Sequence, residues 1–112
     1  MRRLLFCILL SATASPAFAH ARLTSSDPKA DAKVKSPSLI RLMFSEGLEP
    51  AFSGATLSSG AGKAIPVSAA VGSTTITLMP LALKPGTYMV SWHSVGHDTH
   101  RVTGSFRFTV VP

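Results

Sequence analysis

Apolar and polar residues alternate in short runs along most of this chain, and clusters of glycine, proline and serine separate the runs. In GTYMVSWHS, residues 86–94, Tyr88, Val90 and Trp92 share one face, because successive side chains of a strand point to opposite sides. No segment of convincing length shows a helical period. The pattern therefore predicts β-strands throughout.

About seven strands are predicted at near-regular spacing. Five longer runs are predicted as strands, and two shorter runs could be edge strands: residues 38–44, 52–59, 73–79, 86–94 and 104–111, with 21–25 and 64–69. This spacing predicts an all-β fold, a small Greek-key β-barrel or immunoglobulin-like sandwich. Burying one large apolar side chain contributes roughly 1.5–3 kcal/mol. The predicted inward set is Ile40, Leu42, Phe44, Ile76, Leu78, Tyr88, Val90, Trp92, Phe106, Phe108 and Val110.

The first 19 residues, MRRLLFCILLSATASPAFA, have the pattern of a secretory signal peptide. Arg2 and Arg3 precede an apolar run, and residues 17–19 form an A-x-A cleavage signature. A membrane anchor is the alternative, but the run is much shorter than the roughly 20 residues that span a bilayer. We therefore expect residues 1–19 to be removed on export and residues 20–112 to form one periplasmic domain that does not span the membrane.

Charge and cysteine content narrow the chemistry of the expected mature chain. Residues 20–112 contain nine basic and five acidic residues, a net charge of +4, and the basic residues are dispersed. This dispersion favours a solvated surface over a nucleic-acid interface. The one cysteine, Cys7, lies in the leader. The expected mature domain therefore has no disulfide and no thiolate ligand, which excludes cysteine-based zinc sites and blue-copper sites.

The candidate metal ligands are histidines and one neighbouring carboxylate. Asp98 and His100 form a D-x-H motif, and residues two apart in an extended segment point to the same side. Alone, this motif equally fits a loop histidine that is oriented by its neighbouring carboxylate. Cleavage after Ala19 would give His20 a free α-amine with a pKa of about 7.7–8.0. That amine and the ring Nδ1 of His20 can close a six-membered chelate on a metal ion.

Together these groups offer three nitrogens and one oxygen. A tetragonal set of this kind favours Cu(II), and Zn(II) accepts the same ligands in a tetrahedral arrangement. Binding requires a deprotonated amine and neutral imidazoles, so affinity should fall as pH drops.

Four segments, HARLTSSDP, IRLMFSEGL, PGTYMVSWHSV and DTHRVTGSFRFTV, resemble the CopC family of periplasmic copper-binding proteins. The resemblance runs in order across the expected mature chain. It implies a seven-stranded Greek-key β-barrel that binds one Cu(II) ion through His20, Asp98 and His100. The resemblance also implies that the protein acts together with a CopD-type inner-membrane copper transport protein. Glu46 lies in the family's FSE segment and is a candidate supporting residue, with a solvated turn carboxylate as the equal alternative.

The chain departs from the family pattern at three places. Some members have a Met-rich Cu(I) loop, but residues 52–71 contain neither methionine nor histidine, so no Cu(I) site is expected. Met43, Met79 and Met89 are spread over separate strands, and we expect them to fill core or surface. His97 precedes Asp98 and is expected to be a solvated loop residue, with an alternative ligand or a supporting contact also open. His93 is expected to face outward.

The favoured function is a monomeric Cu(II) carrier or buffer in copper homeostasis or resistance, without enzymatic turnover. One alternative is a copper monooxygenase-like enzyme, because such enzymes also chelate copper with an N-terminal histidine. The carboxylate in the expected ligand set disfavours that alternative, since it fills the position that oxygen would take. The other alternative is a metal-free β-sandwich interaction module. No recognisable nucleophile elbow or phosphate-binding loop is present.

Overall fold

The computed structural model describes residues 20–112 as an all-β sandwich. The predicted signal peptide, residues 1–19, lies outside the described residues. Nine strands follow one another: β1 Leu23–Asp27, β2 Lys33–Val34, β3 Ile40–Phe44, β4 Gly54–Ser59, β5 Ala64–Ile65, β6 Val67–Val71, β7 Thr75–Pro80, β8 Gly86–Val95 and β9 Arg101–Val110. A short 3-10 turn, Pro50–Phe52, precedes β4. Among these residues, no helix is long and apolar enough to cross a bilayer.

The strands form two hydrogen-bonded sheets. One has four strands in the order β1-β3-β7-β6, and the other has five in the order β2-β9-β8-β4-β5. Every pairing is antiparallel except that of β2 with β9. The all-β prediction is therefore confirmed.

The observed strands differ from the predicted ones in number and in detail. Residues 20–112 contain nine strands where about seven were expected, and β2, Lys33–Val34, lies outside every predicted run. The run at residues 64–69 divides at Pro66 into β5 and β6, which pair with β4 in one sheet and with β7 in the other. Proline has no backbone N–H to give to a ladder, so it suits the point where the chain changes sheets. Phe52, expected at the start of β4, belongs to the 3-10 turn and is 65% exposed.

The core lies between the sheets and contains all eleven residues of the predicted inward set. Strand β8 shows the reason most clearly, because its buried and partly buried residues alternate from Tyr88 to Val95. Four buried apolar residues were missing from the prediction: Ala21, Leu48, Leu57 and Leu83. Ala21 and Leu48 lie outside the strands and pack at the end of the sandwich where β8 turns into β9.

Candidate metal centre

The turn between β8 and β9 presents Asp98 and His100. The two strands pair from Gly86 with Val110 to Val95 with Arg101, so residues 96–100 connect them. The Thr99 amide donates to the Gly96 carbonyl at 3.0 Å, which closes a tight turn, and Thr99 has a positive φ of 66°. The His100 amide donates to Asp98 Oδ1 at 3.2 Å, so the turn itself orients the carboxylate.

The first described residues lie against this turn. Ala21 is fully buried, and its carbonyl accepts a hydrogen bond from the hydroxyl of Ser94. The Ser45 hydroxyl donates to the His20 carbonyl at 3.2 Å and accepts from the Arg22 amide at 3.1 Å. Gly96 leaves the space that this approach requires, because a Cβ there would lie 3.1 Å from Asp98 Oδ1 and 3.5 Å from the Ala21 Cβ. The segment that carries His20 is therefore held beside the D-x-H motif.

His20, Asp98 and His100 converge on one point. Asp98 Oδ2 lies 2.8 Å from Nδ1 of His20 and 3.4 Å from Nδ1 of His100. The two imidazole rings meet edge to face, with centroids 4.9 Å apart. One possible ligand atom from each residue lies within 4.8 Å of the others. Two imidazoles and one carboxylate are thus within reach of a single ion, although His20 lies 78 residues before Asp98 in the chain.

The carboxylate of this cluster is sheltered and favours its charged form. The side chain of Asp98 is 15% exposed, against 31% for His20 and 62% for His100. Burial acts to raise the Asp98 pKa, but hydrogen bonds from the His20 ring and the His100 amide, together with the charge on both imidazoles, hold the pKa below its usual value. An ionised carboxylate beside two imidazoles is the donor chemistry that first-row divalent metals bind.

The two candidate supporting residues differ in their surroundings. Glu46 is exposed, and within residues 20–112 it forms no ion pair. His97 is 74% exposed, in line with a solvated loop side chain, and its Nδ1 lies 2.7 Å from Glu49 Oε1. A role for Glu46 or His97 at the metal site stays a prediction.

Glu49 is a residue that the sequence analysis missed. The segment before it packs on the turn, since Leu48 bridges to Gly96 and the Glu49 amide donates to the Val95 carbonyl at 2.8 Å. Leu48 is buried and follows a polar stretch, which was the available signal that this turn is anchored. The Glu49–His97 contact therefore joins the 45–49 segment to the turn that carries Asp98.

His93 lies outside the cluster on the outer face of β8. It pairs with Gly54 across the strands and lines a groove of about 640 Å³ together with Phe52 and Arg101. Burial, and then the nearby charge of Arg101, lower its pKa below the ordinary value of 6.5. The expectation that His93 faces away from the core side of its strand is confirmed, and the ring is partly buried there.

The three methionines of the described chain lie apart. Met43 is on β3 and Met79 near the end of β7, while Met89 is on β8 in the other sheet. Met79 is 41% exposed, and Met43 accepts a hydrogen bond from the Ser25 hydroxyl at 3.5 Å. The absence of a Cu(I) site stays a prediction.

Copper resistance proteins and protein YobA are similar to this chain over most of its length. Copper resistance protein C of Escherichia coli is 40% identical over 113 residues, which covers 91% of this chain and 90% of that protein. Protein YobA of Escherichia coli (strain K12) is 39% identical over 115 residues, which covers 96% of this chain and 93% of that protein. Copper resistance protein C of Pseudomonas syringae pv. tomato is 39% identical over 113 residues, which covers 92% of this chain and 87% of that protein.

Solved structures share the fold. PcoC, a methionine-rich copper resistance protein from Escherichia coli, superposes with a TM-score of 0.77 at 39% identity, covering 83% of this chain and all of that one. CopC from Methylosinus trichosporium OB3b superposes with a TM-score of 0.78 at 33% identity, covering 83% of this chain and 95% of that one. The family model of the CopC domain matches residues 23–111. The chain thus belongs to the CopC family of copper resistance proteins.

Proposed function

We propose that the mature protein is a periplasmic Cu(II) carrier or buffer that binds one ion per chain. The observation that carries this proposal is the convergence of His20, Asp98 and His100 within 4.8 Å at the end of the sandwich. Copper is the cargo in this proposal. The named relatives that are copper resistance proteins support the choice of metal.

The proposal assigns each residue a task. His20 would supply its imidazole and, after cleavage behind Ala19, its α-amine. His100 would supply a second imidazole, and Asp98 would supply an anionic oxygen that offsets part of the charge of a divalent ion. In the full-length precursor the nitrogen of His20 belongs to a peptide bond, which is a poor ligand unless it loses its proton. Export and removal of residues 1–19 would therefore complete the site.

Binding and release without turnover fit this donor set better than catalysis does. The carboxylate of Asp98 is held inside the cluster by the His100 amide and the His20 ring, so it would occupy a ligand position and leave less room for a reacting molecule. We propose that the ion is passed to a CopD-type inner-membrane transport protein and that the carrier acts as a monomer.

The test uses protein purified from the periplasm, whose first residue is established by mass spectrometry. Titration with Cu(II) should give one equivalent per chain and an electron paramagnetic resonance spectrum of a tetragonal site with nitrogen ligands. A protein that starts at another residue would contradict the amine as a ligand. Absence of stoichiometric Cu(II) binding would contradict the carrier function, and sustained oxygen consumption with a reductant would favour the enzyme.

A further inference from the structure

Ser94 is an anomaly in an otherwise apolar row. It follows Tyr88, Val90 and Trp92 at the last inward position of β8 and is fully buried. A buried hydroxyl requires a hydrogen-bond partner, because its desolvation is otherwise uncompensated. The partner here is the carbonyl of Ala21, 73 residues earlier in the chain.

The segment that Ser94 holds would be the N-terminus of the mature chain, where backbones ordinarily fray. Here the methyl group of Ala21 is fully buried. From the solvent side, Ser45 donates to the His20 carbonyl and accepts from the Arg22 amide, and the Ser45 amide donates to the Arg22 carbonyl at 2.9 Å. The buried Ser94 and the exposed Ser45 therefore form hydrogen bonds to the backbone of three successive residues, 20–22.

We propose that Ser94 and Ser45 are positioning residues for copper binding, which hold the backbone of residues 20–22 so that the donors of His20 meet Asp98 and His100. This inference rests on the proposed function. Neither serine need touch the ion. The apparent affinity of a site scales with the fraction of molecules in which its ligands are already assembled. Each anchor raises that fraction by offsetting the conformational entropy of a chain terminus.

Ser53 is a matched control for Ser94. It is the other buried serine of the described chain, at 8% exposure, and it lies at the same end of the sandwich. Its hydroxyl accepts from the Val95 amide at 3.0 Å and donates to the Val95 carbonyl at 3.4 Å. Its hydrogen bonds go to Val95 of β8 alone. Ser53→Ala should therefore remove a buried hydroxyl without breaking a hydrogen bond to residues 20–22.

The experiment compares mature wild-type protein with the S94A, S45A and S53A variants by two measurements. The first is hydrogen exchange of the residue-45 amide in metal-free protein, because this amide donates to the Arg22 carbonyl. The second is the Cu(II) dissociation constant from competition with a chelator, with the resonance spectrum of the bound ion. For S94A we expect exchange about five times faster and a dissociation constant about three to ten times higher, as for the loss of one buried hydrogen bond.

The control and the second variant separate positioning from general stability. S53A should lower the melting temperature as S94A does, while its exchange at residue 45 and its copper affinity stay at the wild-type values. S45A leaves the core intact and should change both measurements in the same direction as S94A, by a smaller factor. Equal copper affinity in all four proteins would overturn the positioning role, as would matching losses in S94A and S53A. If the wild-type protein itself does not bind Cu(II), the proposed function is wrong, and hydrogen exchange alone decides whether the serines anchor the segment.

Discussion

Two contacts between a histidine and a carboxylate lie side by side at one end of this sandwich. Asp98 Oδ2 lies 2.8 Å from Nδ1 of His20, and Glu49 Oε1 lies 2.7 Å from Nδ1 of His97. Their surroundings differ, because Asp98 is 15% exposed and faces a second imidazole, whereas Glu49 is 41% exposed and His97 is 74% exposed. Distance alone therefore does not distinguish a metal site from a surface ion pair. Convergence of a third donor and shelter from solvent are what make the Asp98 cluster the candidate metal site.

The two carboxylates should differ most when each is neutralised without a change of shape. Asp98→Asn should weaken Cu(II) binding on the order of a hundredfold, because it removes the anionic oxygen from the cluster. Glu49→Gln is the matched control and should change affinity by less than about twofold, since exposed ion pairs contribute little. Isothermal titration with a competing chelator measures both. Equal losses in the two variants would show that both carboxylates serve the metal.

The imidazoles provide the next comparison. His100→Ala should weaken Cu(II) binding by a factor on the order of ten to a hundred and should remove one nitrogen from the resonance spectrum. His97→Ala should leave the spectrum unchanged and affinity within about twofold, because its ring is directed to Glu49. A spectrum of His97→Ala that lacks a nitrogen would make His97 a ligand and contradict the assignment.

Substitution of His93 should have the smallest effect of these changes. It should alter the pH dependence of the free energy of unfolding and leave Cu(II) binding unchanged. Burial and the Arg101 charge lower its pKa in the folded protein below 6.5. The unfolded chain therefore takes up a proton near pH 6.5 that the folded chain resists, so the free energy of unfolding falls as pH drops below about 6.5. Urea unfolding of metal-free protein at about pH 7.5 and about pH 5.5 should show a shallower decline for His93→Gln than for wild type. An identical decline in both proteins would mean that His93 titrates as if it were unfolded.

The fold was predictable because its signal is local. Alternation along β8 and β9 placed Val90 and Phe108 correctly in the core, and both are fully buried. The same alternation places Ser94 inward, and that polar residue in an apolar row was the available sign of a long-range hydrogen bond. Its partner, Ala21, was not predictable, because no local pattern specifies which distant carbonyl approaches a strand.

The candidate site was only partly predictable for the same reason. The D-x-H spacing singled out Asp98 and His100, and the expected cleavage point singled out His20. The reason given for the first pair was wrong, because the two residues lie on a tight turn with a positive φ at Thr99 and not on an extended segment. Whether these three residues converge depends on the packing of residues 20–22 against the β8–β9 turn, which involves a serine at each side and the space left by Gly96. The Glu49–His97 contact depends likewise on how the 45–49 segment folds over the turn.

The proposed function depends most on the α-amine of His20 as a copper ligand. The most direct test adds one alanine ahead of His20 in the mature protein and compares it with a variant that has one alanine added after Pro112. We expect the N-terminal addition to weaken Cu(II) binding on the order of a hundredfold and to alter the resonance spectrum, because the amine of His20 becomes a peptide nitrogen. The C-terminal addition should match wild type. An unchanged affinity and spectrum in the N-terminally extended protein would show that the α-amine of His20 is not a copper ligand.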